Sequence, residues 1–178
     1  MTRSTPLRPV TFEDFAKLRI PAEPALHPRE PRVAFTVNEV DLGRGTDRVQ
    51  IGIASSAAQP EHRQWTHGLE DAWHPAWSPD GRNLAFLSAR PHPQEPDDAH
   101  EEEGPRQQVH VLSAEGGEAR RVSELQEGAE LFRWCPDGSG VFALAPAARS
   151  AAERSWRRRR GDERDDPFAV VLLRDERL

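Results

Sequence analysis

Short apolar runs recur along this chain, and each follows a polar unit typical of a tight turn. The two clearest runs are Leu84-Ala85-Phe86-Leu87 and Val141-Phe142-Ala143-Leu144. Their apolar residues are continuous rather than alternating, which is typical of strands that are covered on both faces. The pattern therefore predicts β-sheets that pack face to face, not a meander with one solvated side.

The polar unit before each run has the sequence Trp-x-Pro-Asp-Gly. Proline presets φ for position i+1 of a type I turn, aspartate tolerates the next position and can bond its own backbone, and glycine suits the position after it. We therefore predict hairpin turns, with the tryptophans packed between neighbouring sheets. The predicted structural repeat residues are Trp77, Pro79, Asp80, Gly81, Trp134, Pro136, Asp137 and Gly138.

The spacing of the units indicates the architecture. They lie 57 residues apart (134 − 77), and self-similarity at roughly 40 to 60 residues is typical of propeller blades. An eroded copy precedes them from Leu26 to Phe35, with Arg29 and Glu30 in place of the Asp-Gly pair, so we expect a turn of different length or shape there. Further strands are predicted at 48–54, 62–66, 108–112, 119–123 and 168–173.

Four strands per repeat is the composition of a propeller blade. We therefore predict an all-β fold, a partial β-propeller of about two and a half four-stranded, TolB/WD-like blades, with a short N-terminal helix capped by Thr11. A closed propeller needs at least about four blades, so an incomplete, truncated ring is expected. The predicted divisions are an N-terminal segment at 1–22 and the propeller at 23–178, with blade 1 at about 23–67, blade 2 at about 72–124, partial blade 3 at about 129–178 and a charged insertion at 146–167.

The motifs and their flanks resemble a known family. The segment 75–88, preceded by Trp65-Thr66-His67-Gly68 and followed by 116–123, is similar to the N-terminal β-propeller of prolyl oligopeptidase-family serine peptidases, and most similar to the acylaminoacyl-peptidase and dipeptidyl-aminopeptidase branch. Residues 11–18 resemble the short helix before the first blade of that family, and 160–168 resemble a charged insertion. The resemblance covers nearly all 178 residues.

The resemblance implies that the chemistry of such proteins resides in a C-terminal α/β-hydrolase domain with a Gly-x-Ser-x-Gly nucleophile elbow. No Gly-x-Ser-x-Gly occurs in this sequence, and Gly138-Ser139-Gly140 is better explained as part of a turn. Cys135 is interpreted as a small packed or turn residue rather than a nucleophile, since the local sequence offers no base. We therefore expect no catalytic residue, no cofactor and no metal in this chain.

Three functional hypotheses follow. The first is a non-catalytic propeller that restricts substrate entry to a serine peptidase, as the resemblance implies. The alternatives are a stand-alone TolB-like module that binds a protein or peptide, and a degenerate truncated remnant. The expected partners are a hydrolase domain or a second copy of the chain joined through open blade edges, with a peptide as a further ligand.

Charge is unevenly distributed but changes this picture little. The acidic segment 91–105 is interpreted as a solvated loop rather than a metal site built on His92 and His100. The basic cluster of Arg154 and residues 157–160 lies beside Trp156, but acidic residues follow it directly and the net charge is −6. We therefore expect no nucleic-acid partner.

Two tryptophans and two histidines remain open to either of two interpretations. Trp65, Trp73, His67 and His74 could line a central channel or simply pack, and packing is favoured because a repeat fold reuses large apolar residues. No run approaches the roughly 20 apolar residues of a membrane span, and no apolar leader core is present. With its single cysteine, the chain is expected to be cytoplasmic and to have no membrane partner.

Overall fold

In the computed structural model, three antiparallel sheets follow one another along the chain after one short helix. The structure describes residues 8–15, 17–43, 45–55, 61–68, 70–91, 106–147 and 168–174. The elements are α1 (Phe12–Phe15), β1 (Arg19–Leu26), β2 (Arg32–Asp41), β3 (Thr46–Ser55), β4 (Glu61–Gln64), β5 (Ala72–Trp77), β6 (Asn83–Ser88), β7 (Gln108–Ser113), β8 (Arg120–Arg121), β9 (Leu131–Trp134), β10 (Gly140–Pro146) and β11 (Phe168–Arg174).

Each sheet is a meander of strands in chain order. Blade 1 is β1-β2-β3-β4, blade 2 is β5-β6-β7-β8, and blade 3 contains β9, β10 and β11 among the described residues. The predicted fold class, a partial propeller of four-stranded blades with a short helix, is thereby confirmed. The first strand begins at Arg19, inside the segment that the sequence assigned to 1–22, and most of the predicted insertion at 146–167 lies outside the described residues.

The apolar runs are continuous because blade 2 is covered on both faces. Leu84 and Phe86 pack against blade 1, together with Ala34 and Ile51. Their neighbours Ala85 and Leu87 point the opposite way, into a second core shared with blade 3. Since side chains alternate along a strand, both sets must be apolar.

The sheets repeat one another residue by residue, which allows equivalent positions to be compared. Ala34 pairs with Ile53 in blade 1, Ala85 with Val111 in blade 2 and Phe142 with Leu172 in blade 3. On the other side of the same strands, Phe35 pairs with Gly52, Phe86 with His110 and Ala143 with Val171. These pairs define the two faces of each blade.

Candidate functional site

The three hairpin turns between the first two strands of each blade have the same size. Each is closed by one backbone hydrogen bond, from His27 N to Arg32 O at 2.9 Å, from Ser78 N to Asn83 O at 2.8 Å and from Cys135 N to Gly140 O at 2.8 Å. The eroded first copy therefore differs in shape rather than in length: its inner bond runs from Arg32 N to Glu30 O, whereas the intact turns have Gly81 N to Ser78 O and Gly138 N to Cys135 O. Loss of the Asp-Gly pair there has not changed the span of the turn.

The aspartates of the two intact units hold their turns together. Asp80 Oδ1 accepts hydrogen bonds from Arg82 N at 3.0 Å and Ser78 Oγ at 2.7 Å. Asp137 Oδ1 accepts from Ser139 N at 3.0 Å and Ser139 Oγ at 2.8 Å. Because these donors favour the ionised carboxylate, the backbone amides first, the pKa of both aspartates lies below its ordinary value. The hydroxyl of Ser139 is thus engaged within its turn.

Both repeat tryptophans lie between two blades. Trp77 Nε1 donates a hydrogen bond to the Ala25 carbonyl at 3.2 Å, and Trp134 Nε1 donates to the Ala76 carbonyl at 3.0 Å. Each acceptor belongs to the first strand of the preceding blade, one residue before the tryptophan position. Blade 1 has Leu26 at this position, and its side chain is 81% exposed. The repeat unit therefore joins a blade to the one before it.

His27 forms a second bridge between blades 1 and 2. Its Nδ1 accepts hydrogen bonds from the backbone amides of Arg29 at 3.2 Å and Glu30 at 2.9 Å. Its Nε2 lies 2.9 Å from the Gly81 carbonyl, and since a carbonyl only accepts, Nε2 carries the proton. The ring also meets Trp77 edge-on, with centroids 4.7 Å apart. Sequence analysis missed this role, although His27 occupies the x position of the eroded unit.

A buried pair of polar residues, Gln50 and Thr66, links β3 of blade 1 to the segment after β4. Thr66 Oγ1 donates to Gln50 Oε1 at 2.9 Å and accepts from Ile51 N at 2.9 Å. Gln50 Nε2 in turn donates to the Glu70 carbonyl at 3.0 Å. The pair therefore ties β3 to the segment that leads into the next blade.

Blade 2 contains the same arrangement. Ser123 Oγ donates to Gln108 Oε1 at 2.6 Å and accepts from Val109 N at 2.8 Å, while Gln108 Nε2 donates to the Leu125 carbonyl at 2.7 Å. The two glutamines lie 58 positions apart (108 − 50), close to the repeat length. That recurrence was visible in the sequence and could have revealed the pair.

The first strands of blades 1 and 2 share an irregular backbone. Glu23 and His74 occupy equivalent positions, have φ of 46° and 52°, and lie where the strand register shifts. One Glu23 carboxylate oxygen accepts from His74 N at 2.9 Å and the other lies 2.7 Å from His74 Nδ1. The bulge of one blade is thus tied to the bulge of the next.

The other residues considered for a channel lining have separate surroundings. Trp65 packs against the first core, and Trp73 packs against the second core. The guanidinium carbon of Arg63 lies 4.4 Å from the Trp65 ring centroid. The His67 carbonyl accepts a hydrogen bond from Arg90 Nη2 at 3.0 Å. Packing thus accounts for both tryptophans.

A groove of about 230 Å³ lies on the face of blade 1 that points away from blade 2. Apolar and polar residues contribute about equally to its lining, which consists of Pro21, Phe35, Val37, Ile51 and Gly52 together with Arg19, Glu39, Gln50, His62, Arg63 and Gln64. A Cβ at Gly52 would approach Phe35 Cζ to 3.1 Å, so a larger residue there would crowd this ring.

The described ranges contain neither a cluster of metal ligands nor a helix suited to cross a membrane. No group of three or more His, Cys, Asp or Glu residues able to hold a metal occurs there. None of the helices in these ranges has the length and apolarity of a transmembrane segment. Of the predicted acidic loop at 91–105, residues 92–105, including His92 and His100, lie outside the described residues. The basic cluster of Arg154 and 157–160 also lies outside them.

Successive antiparallel sheets, stacked by repeated tryptophan contacts, define a β-propeller type of protein. No protein-family model matches the chain. Over 133 residues, or 75% of its length, the chain is 30% identical to YuxL, an uncharacterized peptidase of Bacillus subtilis, and it spans 18% of that protein.

Solved structures show the same architecture. Pyrococcus horikoshii acylaminoacyl peptidase matches 77% of the chain with a TM-score of 0.56 and 21% identity, over 19% of its own length. The β-propeller domain of the Trilobed protease from Pyrococcus furiosus matches 73% with a TM-score of 0.50 and 17% identity, over 35% of its length. A putative TolB from Agrobacterium tumefaciens matches 88% with a TM-score of 0.54 and 18% identity, over 46% of its length.

These comparisons confirm the resemblance that the repeat units predicted. The chain is similar to the propeller of acylaminoacyl-peptidase and prolyl oligopeptidase-type proteases, and its fold is shared with TolB. It spans about a fifth of the length of the peptidases it matches.

Proposed function

We propose that the chain is a non-catalytic propeller that controls substrate access in an acylaminoacyl-peptidase-type serine hydrolase. The observation that carries this proposal is the 30% identity to a peptidase over 133 residues, in a chain whose sequence contains no Gly-x-Ser-x-Gly. In such an assembly the nucleophile, base and oxyanion hole belong to a hydrolase domain.

The contacts of the described polar side chains support a non-catalytic role for the propeller. Ser139 bonds Asp137 within its turn, His27 bridges two turns, and His74 pairs with the Glu23 carboxylate. Each of these contacts stabilises a turn or joins two blades. The residues therefore have structural roles.

We place the assembled protein in the cytoplasm, as expected for a chain with one cysteine.

An activity assay tests the non-catalytic role. We expect the purified chain to release no product above the blank from acylated amino-acid or dipeptide chromogenic substrates. Sustained turnover that a serine-directed inhibitor abolishes would contradict the proposal.

A second assay tests control of access. A Gly-x-Ser-x-Gly hydrolase domain encoded with this chain would be prepared with and without the propeller. We expect the propeller to lower kcat/KM for long peptides much more than for short ones, because blades over an active site exclude extended substrates. An unchanged ratio between long and short peptides would refute the gating role.

The TolB likeness supports a second candidate, a stand-alone module that binds protein or peptide. It covers 88% of this chain at 18% identity, against 75% at 30% identity for the Bacillus subtilis peptidase. A peptide bound by the chain with no hydrolase domain present would favour this alternative.

A further inference from the structure

His27 takes the part in the first turn that an aspartate has in the other two. In each intact unit an aspartate Oδ1 accepts a hydrogen bond from a backbone amide of the turn. The eroded unit has Arg29 and Glu30 in place of the Asp-Gly pair, and the amides of these two residues donate to His27 Nδ1 at 3.2 Å and 2.9 Å. An imidazole nitrogen has therefore replaced a carboxylate oxygen as the acceptor of this turn.

The two kinds of acceptor respond differently to acid. The pKa of Asp80 and Asp137 lies below its ordinary value of 3.8, so both side chains stay ionised and accept hydrogen bonds down to that pH. Histidine changes its charge between about pH 5 and pH 8. Once His27 Nδ1 carries a proton, it is a donor and no longer accepts from an amide. The first turn therefore loses its acceptor at a pH at which the other two turns keep theirs.

The second ring nitrogen links this turn to blade 2. His27 Nε2 donates to the Gly81 carbonyl at 2.9 Å, and the ring meets Trp77 edge-on with centroids 4.7 Å apart. Both nitrogens are thus engaged only when the ring is neutral, with its proton on Nε2 and its lone pair on Nδ1. A protonated ring must turn away from the two amides, or the turn must open. Either movement displaces the ring from Gly81 and Trp77.

The charged groups around the ring do not favour an imidazolium. The two turns that hold the ring carry three guanidinium groups and two carboxylates, namely Arg29, Arg32, Arg82, Glu30 and Asp80. Their net charge is therefore +1 (3 − 2). Glu30 lies 2.9 Å from Arg32 and Asp80 lies 3.6 Å from Arg82, so both carboxylates already have a cationic partner. A proton on His27 would add to an existing positive charge.

We propose that His27 makes the junction between blades 1 and 2 sensitive to pH. Proton uptake by the ring releases the two turn amides and loosens the contact with Gly81. The stabilisation from this bridge is present while the ring is neutral and is lost as the pH falls through the range in which the ring takes up a proton. The change is local, because the Trp77 indole still donates to the preceding blade. This device goes beyond the proposed peptidase role and does not depend on it.

Urea unfolding of the whole chain at two pH values tests the proposal. His27→Asn is the informative variant, because its side-chain oxygen can accept from the turn amides and does not titrate. Between about pH 7.5 and about pH 5.5, the unfolding equilibrium constant of the wild type should rise roughly threefold to tenfold more than that of His27→Asn. All other histidines, including His74 at the same junction, are unchanged in this variant, so their titrations cancel in the comparison.

His67→Asn is the matched control. His67 is an exposed histidine that accepts a hydrogen bond through its backbone carbonyl, which the substitution retains. This variant should keep the pH dependence of the wild type, because its ring holds neither a turn nor a second blade. A smaller pH dependence in His67→Asn, equal to that in His27→Asn, would overturn the assignment to His27.

Amide hydrogen exchange measured by NMR locates the change within the wild type. After correction for the intrinsic pH dependence of exchange, the Arg29 and Glu30 amides should lose protection by roughly threefold or more at the lower pH. The Arg82 and Ser139 amides are held by aspartates and should keep their protection. Nitrogen NMR of the His27 ring at the higher pH should show the proton on Nε2.

Contrary results are distinct. Equal pH dependence of unfolding in the wild type and His27→Asn overturns the proposal, as does a ring whose proton lies on Nδ1 at the higher pH. Equal loss of protection in all three turns also overturns it. If His27→Asn does not fold, the exchange measurement on the wild type decides. None of these outcomes bears on the peptidase assays.

Discussion

Gly81 and Gly138 have the same backbone conformation but different surroundings. Their φ values are +77° and +75°, a left-handed region that side chains with a Cβ disfavour. A Cβ on Gly81 would lie 2.5 Å from the His27 ring, whereas the nearest atom to a Cβ on Gly138 is Pro79 Cδ at 3.8 Å. Only the first glycine is therefore required by a neighbouring blade as well as by its own turn.

Alanine substitutions separate the two requirements. We expect Gly138→Ala to lower the free energy of unfolding by about 1 to 2 kcal/mol through backbone strain. Gly81→Ala should cost about 1 to 3 kcal/mol more, because the His27 ring must also move. Urea unfolding at a concentration where the chain is monomeric measures both, and equal losses would contradict a contact between turns.

The turn aspartates predict how stability depends on pH. The pKa of each folded carboxylate lies below the ordinary value of 3.8, so Asp80 and Asp137 stabilise the fold above that pH. The stabilisation is lost as pH falls from about 4 through the folded pKa. We expect the double variant Asp80→Asn, Asp137→Asn to flatten the pH dependence of urea unfolding below pH 4 relative to the wild type. An unchanged acid slope would show that other carboxylates dominate.

At the scale of elements, blades 1 and 2 each contain a buried pair of a glutamine and a hydroxyl residue. Ser123 Oγ links Gln108 to Val109 N, as Thr66 Oγ1 links Gln50 to Ile51 N. Both hydroxyl residues are 2% exposed, so water cannot replace a lost partner. The pair therefore holds in place the segment that connects one blade to the next, through the carbonyls of Glu70 and Leu125.

Removing one hydroxyl should test this anchor. We expect Ser123→Ala to lower the free energy of unfolding by about 1 to 3 kcal/mol, because a buried amide donor is left without its acceptor. Ser113→Ala is the matched control, since Ser113 is exposed on β7, and its effect should be within about 0.5 kcal/mol. Similar effects in the two variants, measured by urea unfolding, would contradict the anchoring role.

At the scale of the whole molecule, the sequence predicted those features of the fold that depend on repeated local motifs. The Trp-x-Pro-Asp-Gly units and continuous apolar runs predicted turns, stacked sheets and the peptidase-type propeller, because each signal is local and repeated. The contacts of His27 with Gly81 and of Glu23 with His74 were not predicted. They join residues from different blades, and their geometry depends on how the sheets stack, which no local pattern reports.

The indole hydrogen bonds of Trp77 and Trp134 run in the same direction, from a blade to the one before it. A series of blades joined in this way has a chemical direction, because blade 2 accepts an indole hydrogen bond from blade 3 and donates one to blade 1. Reversing blade 2 within the series would therefore separate both indoles from their carbonyl acceptors.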